Sequence, residues 1–266
     1  MKISRSSYYD WLYRPLSKRA RQDIDLTNRI IPIFKEGRNN YGARRIKHKL
    51  FLQNIVVSQR RISRLMRLAG LTCKTKRKFK ATSDSNHKKP VALNILSRNF
   101  NVSNPNRSWV GDITYIKTNQ GWLYLAVVID LYSRQVVGWS MSNRINAELV
   151  DNAILMAIWK RKPEKDLVWH TDRGRQYASD SHSKILKDHK IIQSMSRKGD
   201  CWDNAVSESF FHTLKTELTN HYNFENREEA KKTIFEYIEV FYNRIRIHSA
   251  NNYMSPVEFE SLKLSA

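Results

Sequence analysis

Apolar residues recur with two different periods along this chain. In "YGARRIKHKLFLQNIVVSQRRISRLMRLAGL" the period is helical. It predicts a helix over about Ala43–Leu52, built on the i,i+4 pair Ile46 and Leu50. After a short turn comes a second helix, which Ser58 can cap and Gly70 can stop. Ile62, Leu65, Met66 and Ala69 make its apolar side, and Arg60, Arg64 and Arg67 follow i, i+4, i+7 on another face. From Trp109 the period shortens. "SWVGDITYIKT" predicts a strand with Val110, Asp112, Thr114 and Ile116 on one face. "GWLYLAVVIDLYS" is nearly continuous in apolar residues, as expected of a strand covered on both sides. "QVVGWSM" is a third strand, with turns at Gly121 and Ser133–Arg134. Asn146 to about Lys160 is helical, and "DLVWHTD" and "IIQSMS" are shorter strands around a helix through Ile185 and Leu186. Three successive strands followed by alternating helices and strands predict a mixed α/β layer.

The stretch "KGDCWDNAVSESFFHTLKTE" predicts a late helix. Asp203 is its expected N-cap, and Val206, Phe210, Leu214 and Leu218 make an apolar stripe at intervals of four. Glu208 lies two residues past Val206, about 200° around the helix, and so faces away from that stripe. Lys215 follows seven residues later on the side of Glu208. A further helix, about Arg227 to Tyr242, precedes "NRIRIHSANNYMSPVEFE".

Length and charge add the domain plan. The 266 residues suffice for one large core and a smaller domain. No apolar run reaches membrane length and the N-terminus lacks a signal-peptide core, so no membrane association is expected. Cys73 and Cys201 form no CxxC and no disulfide framework, which fits a reducing, cytoplasmic setting. The net charge is +22, but residues 1–100 hold 25 basic and 5 acidic groups, whereas residues 101–266 hold 22 and 20. A basic segment joined to a near-neutral one points to a polyanion-binding part on a separate domain; RNA or an anionic membrane satisfies the same charge argument as DNA. The helix pair resembles a helix-turn-helix with its Arg face toward phosphates; a small bundle with a solvated Arg face is the alternative. "KTKRKFKATSDSNHKKPVALNIL" is a basic linker or arm whose Lys74, Lys76, Arg77, Lys78 and Lys80 can meet a nucleic acid backbone. The expected organisation is a basic helical domain over 1–73, an arm over 74–104, an α/β core over 105–220 and a C-terminal helix and tail over 221–266.

Three acids stand out: Asp112 on the first strand, Asp172 where "HTDRGRQY" runs from strand into turn, and Glu208 on the late helix. Gathered at one site they would repel one another unless a divalent cation lay between them, and such a site can serve phosphoryl transfer. Separate caps and salt bridges are the alternative. Asp130 reads as a turn residue able to pair with Arg134, His170 as a packed histidine, and Trp202 as a residue able to stack on a base or pack in the core.

The segments "YGARRI", "SRLMRLAGL", "WVGDITYI", "GWLYLAVVIDLYSR", "HTDRGRQYAS", "SMSRKGDCWDNAVSESFFHTLK" and "FYNRIRIHSA", with 59 residues between Asp112 and Asp172 and 35 between Asp172 and Glu208, closely resemble insertion-sequence transposases of the retroviral-integrase superfamily. The likeness covers nearly the whole chain and is to the group whose catalytic product is a second reading frame. It implies a ribonuclease H-like core, a five-stranded mixed sheet with helices on both faces. It implies an Asp-Asp-Glu site at Asp112, Asp172 and Glu208 holding two Mg²⁺, with Mn²⁺ able to substitute, and DNA contact by Lys215. It also implies strand cleavage and transfer on transposon ends and target duplex, a homo-oligomer on DNA, association with the nucleoid, and frameshift fusion to an upstream product. The tail departs from the family pattern at "SANNYMSP", where Asn252 would take the left-handed turn that glycine takes in relatives. Two rivals stand beside this reading. A tyrosine recombinase would use the HxxR at His170 and Arg173, but no Tyr lies between Tyr177 and Tyr222. A non-catalytic DNA-binding regulator or inactive relic would keep the basic domain without the chemistry.

Overall fold

The computed structural model describes residues 4–74, 92–197 and 201–264. The chain divides into two compact units, Met1–Lys74 and Thr75–Ala266.

The first unit is helical: α1 (Arg5–Tyr13), α2 (Lys18–Glu36), α3 (Ala43–Leu52) and α4 (Gln59–Leu68). The last two match the expected pair, and the Ser58 hydroxyl caps α4 by accepting from the Arg61 N–H. Gly70 follows in the left-handed conformation. Sequence reading did not resolve α2, yet its Leu26, Ile30, Ile33 and Phe34 complete the apolar interior with Ile46, Leu50, Ile62 and Leu65. Those four recur at helical spacing, so the signal was present.

The second unit is a five-stranded sheet in the order β3-β2-β1-β4-β5. Strands β1 (Ser108–Thr118), β2 (Gly121–Asp130) and β3 (Val136–Ser142) are antiparallel neighbours; β4 (Val168–Thr171) and β5 (Ile192–Met195) run parallel to β1 and to each other. Between them lie α5 (Ala147–Arg161) and α6 (Asp180–Asp188), and after them α7 (Ala205–Glu217), α8 (Arg227–Glu236) and α9 (Pro256–Leu264). The sheet is covered on both faces, as the apolar run of β2 requires. Leu123, Leu125, Val127 and Ile129 pack into a core with α7 and α8; Ala126 and Val128, of opposite parity, pack with α5 and α6. This is the ribonuclease H-like α/β fold. The helix expected to reach Tyr242 does so, but its last part, Tyr237–Tyr242, is π-helical.

Residues 92–104, expected within a linker or arm, pack on this unit. Leu96 is buried in the α7–α8 core, with Phe100 and Val102 against it. The Ile95 N–H donates to the Ser194 hydroxyl. Asn252 is left-handed, φ 51° and ψ 37°, as its place in the tail demanded. Asp130 is a buried turn residue, but its partners are the N–H groups of Asn106 and Tyr132 and the Arg161 guanidinium. The Arg134 guanidinium donates instead to the Phe100 carbonyl.

Candidate active site

The register of the parallel pair β1–β4 brings two of the three acids together. Ser108 pairs with Val168, Trp109 with Trp169 and Val110 with His170. Asp112 and Asp172 each follow two residues beyond that last pair, on chains that neighbouring strands hold about 4.8 Å apart. Asp112 has the parity of Val110 and Ile116, which face the α7–α8 layer. Gly111 is required on the other side: a Cβ there would meet the Trp169 ring at 2.1 Å.

The third acid arrives through a tether. Asn204 precedes helix α7 at the cap position, but its side chain does not cap the helix. Instead the Asn204 amide donates to the Gly111 carbonyl at 3.3 Å, fixing the start of α7 beside β1. Glu208 then lies in the first turn, exposed, while Phe210, Leu214 and Leu218 are buried as the stripe predicted. Asp203, the expected cap, is wholly buried and serves another purpose. Its carboxylate accepts from the Asn94 amide at 2.8 Å, from the Arg98 Nε at 2.9 Å and from the Arg197 N–H at 2.9 Å. Burial alone would raise its pKa, but Arg197 and Arg98 hold it well below the usual carboxylate range. Three separate chain segments thus meet at the turn that launches α7.

Asp112 feels the charge of both other acids. Burial, then the negative charge of Asp172 and of Glu208, push the Asp112 carboxyl well above its ordinary value. Tyr177, buried beneath, is pushed up by burial and by the same two aspartates. Partial desolvation raises Glu208. The Asp172 carboxylate accepts from the Gly174 N–H at 2.9 Å and Asp112 from the Ile113 N–H at 2.8 Å. Among the described residues, no three His, Cys, Asp or Glu side chains form a ready-made metal cage. The donor set is nonetheless that of a hard cation: carboxylate oxygens only, under mutual repulsion that a divalent ion would relieve. His170 is not a competing ligand. Its ring nitrogens lie 2.9 Å from the Ser194 Oγ and 3.2 Å from the Ser196 Oγ, and burial lowers its pKa to about 4.

The remaining expected site residues scatter. Lys215 sits two turns beyond Glu208, half-buried, with its Nζ 5.0 Å over the Tyr115 ring. On α4, Arg60 and Arg67 are exposed, but Arg64 is bound to Asp23 of α2 at 2.5 Å. Lys74 closes the first unit. Lys76, Arg77, Lys78 and Lys80, and the side chain of Trp202, lie outside the described residues.

Residues 102–201 and 208–264 match models of the integrase core domain, and residues 21–79 match an HTH-like domain. The chain is 42% identical over its whole length to the transposase InsF for insertion sequence IS3A of Escherichia coli K12, covering 93% of that protein. The chain belongs to the insertion-sequence transposases with an integrase core. A second transposon-encoded relative, the insertion element IS600 uncharacterized 31 kDa protein of Shigella sonnei, is 44% identical over 97% of this chain and 94% of its own length. Among solved structures, a chain of the simian T-cell lymphotropic virus intasome in complex with PP2A regulatory subunit B56 gamma aligns with a TM-score of 0.51 at 16% identity, covering 80% of this transposase and 70% of that chain. That likeness concerns the fold. No helix among the described residues of the transposase is long and apolar enough to cross a membrane.

Proposed function

We propose that this transposase cuts and joins DNA at transposon ends with Asp112, Asp172 and Glu208 as its catalytic acids. The observation that carries the reading is the shared β1–β4 register, which sets Asp112 beside Asp172 while the Asn204 tether directs α7 toward them. The three carboxylates would hold Mg²⁺, two ions in the full site, with Mn²⁺ able to replace them. Bound metal would activate the nucleophile and stabilise the charge developing on the leaving oxygen. Water attacking the end phosphodiester breaks the P–O3′ bond and leaves a 3′-hydroxyl and a 5′-phosphate. That hydroxyl then attacks a phosphodiester of target duplex, one P–O bond forming as another breaks. Lys215, on the Glu208 side of α7, would bind a DNA phosphate beside the acids. Arg60, Arg67 and the Lys74–Lys80 run would supply backbone affinity from the basic segment. Synapsis of two ends calls for a homo-oligomer on DNA, in the cytoplasm at the nucleoid, with an upstream reading-frame product joined by frameshifting.

The test uses the purified chain and a labelled end duplex. Mg²⁺-dependent nicking should disappear in Asp112→Asn, Asp172→Asn and Glu208→Gln, with duplex binding retained. Nicking that survives in any of these, or in EDTA, overturns the assignment. Intact duplex binding with no nicking by the unaltered chain under any metal would favour a non-catalytic regulator.

A further inference from the structure

A groove of about 500 Å³ opens between the tip of the β1–β2 hairpin and the end of α7. Three of its aromatic side chains are half-exposed: Tyr115 at 40%, Trp122 at 46% and Tyr222 at 48%. Trp159 and Phe235 are exposed elsewhere in this unit, but most of its other rings are buried, and three half-exposed rings lining one groove form a contiguous aromatic surface. They are held in place. Tyr115 meets Trp122 edge-on, centroids 5.0 Å apart, and Tyr222 stacks on Phe224 at 5.4 Å and 13°. Phe224 is fully buried and bridges Thr118, and its carbonyl accepts from the Asn119 N–H. The hairpin tip is closed by the Thr118 hydroxyl donating to the Gly121 carbonyl at 2.7 Å, and the Arg227 Nε donates to the Trp122 carbonyl at 3.1 Å. The groove is therefore a built feature with little reorganisation left to make.

Its charge selects the occupant. Among the described residues, Lys117 and Lys215 line it and no carboxylate does; much of the remaining wall is Asn and Thr. Aromatic faces beside cations suit an anion that also presents flat rings. Duplex DNA keeps its bases stacked on one another, whereas a single strand offers them. An apolar protein partner would meet a largely polar wall. We propose that this groove is a stacking site for unpaired bases of a single DNA strand, with Trp122 and Tyr222 as platforms and Lys117 and Lys215 on the phosphates. Resting on the proposed function, this places a frayed or cleaved strand next to the acids, since Lys215 belongs to both.

The experiment is binding by the full chain in EDTA, so that no chemistry intervenes. The probes are a short oligothymidylate carrying one 2-aminopurine and a blunt duplex. The oligonucleotide should bind with quenching of the 2-aminopurine. Trp122→Ala should weaken that binding by roughly 5- to 150-fold, the range for one lost stacking contact. Blunt-duplex affinity should stay within about twofold. Trp122→Phe should retain most of the binding, and Tyr222→Ala should act in the same direction. Lys117→Ala should lower the salt slope by about 0.7 on the single strand, which the aromatic variants should leave unchanged. Tyr222 lies outside the sheet, so its variant carries the test if Trp122→Ala fails to fold. Folded aromatic variants that bind the oligonucleotide normally, that lose duplex binding equally, or that alter self-association alone, overturn the proposal. A chain with no nicking activity but with this binding pattern would sink the catalytic reading and leave the stacking site standing.

Discussion

The Asn204 side-chain amide donates to the Gly111 carbonyl at 3.3 Å, joining the residue at the cap position of α7 to the residue that precedes Asp112. The bond is buried, so it acts as a positional link between strand and helix. Asn204→Leu should leave the fold and duplex binding largely intact and reduce Mg²⁺-dependent nicking by up to about 100-fold, the cost of a misplaced catalytic group. Single-turnover nicking beside circular dichroism checks this. Normal nicking would mean that packing of Phe210 and Leu214 alone sets the helix.

Asp203 gives the pH dependence. Its folded pKa lies below the ordinary carboxylate value, because Arg197 and Arg98 outweigh the effect of burial. The unfolded chain therefore binds a proton first as pH falls, and the stabilisation is present above the unfolded pKa of about 3.9 and lost below it. Urea midpoints of the unaltered chain should fall between pH 5 and pH 3. In Asp203→Asn the midpoint at pH 6 should be lower, and its further fall with acid smaller.

Glu217 and Arg246 form a buried pair, with the Arg246 Nη2 2.7 Å from Glu217 Oε1 and the Tyr237 hydroxyl donating to Glu217 Oε2 at 2.9 Å. Arg246→Leu would strand the carboxylate among Tyr237, Leu214 and their neighbours. A loss of about 3–5 kcal/mol in unfolding free energy is expected. Tyr237→Phe should cost about 1 kcal/mol. Denaturant titrations at pH 7 measure both.

Gly111 admits the Trp169 ring where a Cβ would stand 2.1 Å from it. Gly111→Ala must displace that ring or bend β1, at a cost of roughly 1–3 kcal/mol. The thermal midpoint should drop, and nicking should drop more than stability alone explains, because Asp112 is the next residue. An unchanged midpoint would show that Trp169 yields freely.

In the first unit, Asp23 holds Arg61 and Arg64 at 2.7 and 2.5 Å, and those arginines pull its carboxyl below the usual range. Replacing Arg60 and Arg67 by Ala should lower the slope of log K against log salt on duplex by about 1.8 if each meets one phosphate. Adding Arg64→Ala should lower it little further. A full additional step of about 0.9 would mean that DNA draws Arg64 away from Asp23.

Much of this was legible along the chain, because it depends on near neighbours. The continuous apolar run of β2 could only be a strand covered twice. The interval of four in Val206, Phe210, Leu214 and Leu218 put Glu208 on the outer side of its helix, and Ser58 and Asn146 sit at the caps that their side chains favour. The charge imbalance separated a basic segment from a neutral one. What the tertiary structure decided rests on pairings between residues far apart in sequence. The offset that matches Ser108 to Val168, and so sets Asp112 beside Asp172, follows from packing on both faces of the sheet. Asp203 could cap by residue type, yet burial between Arg98 and Arg197 gave it stronger, charged partners. Arg64 had the spacing of a phosphate-facing side chain, but an aspartate 41 residues away holds it. Helical and strand periods repeat within a few residues and survive in any context. Which carboxylate meets which arginine, strand or carboxylate depends on the collapsed chain, where burial makes an unpaired charge costly and so selects the partner.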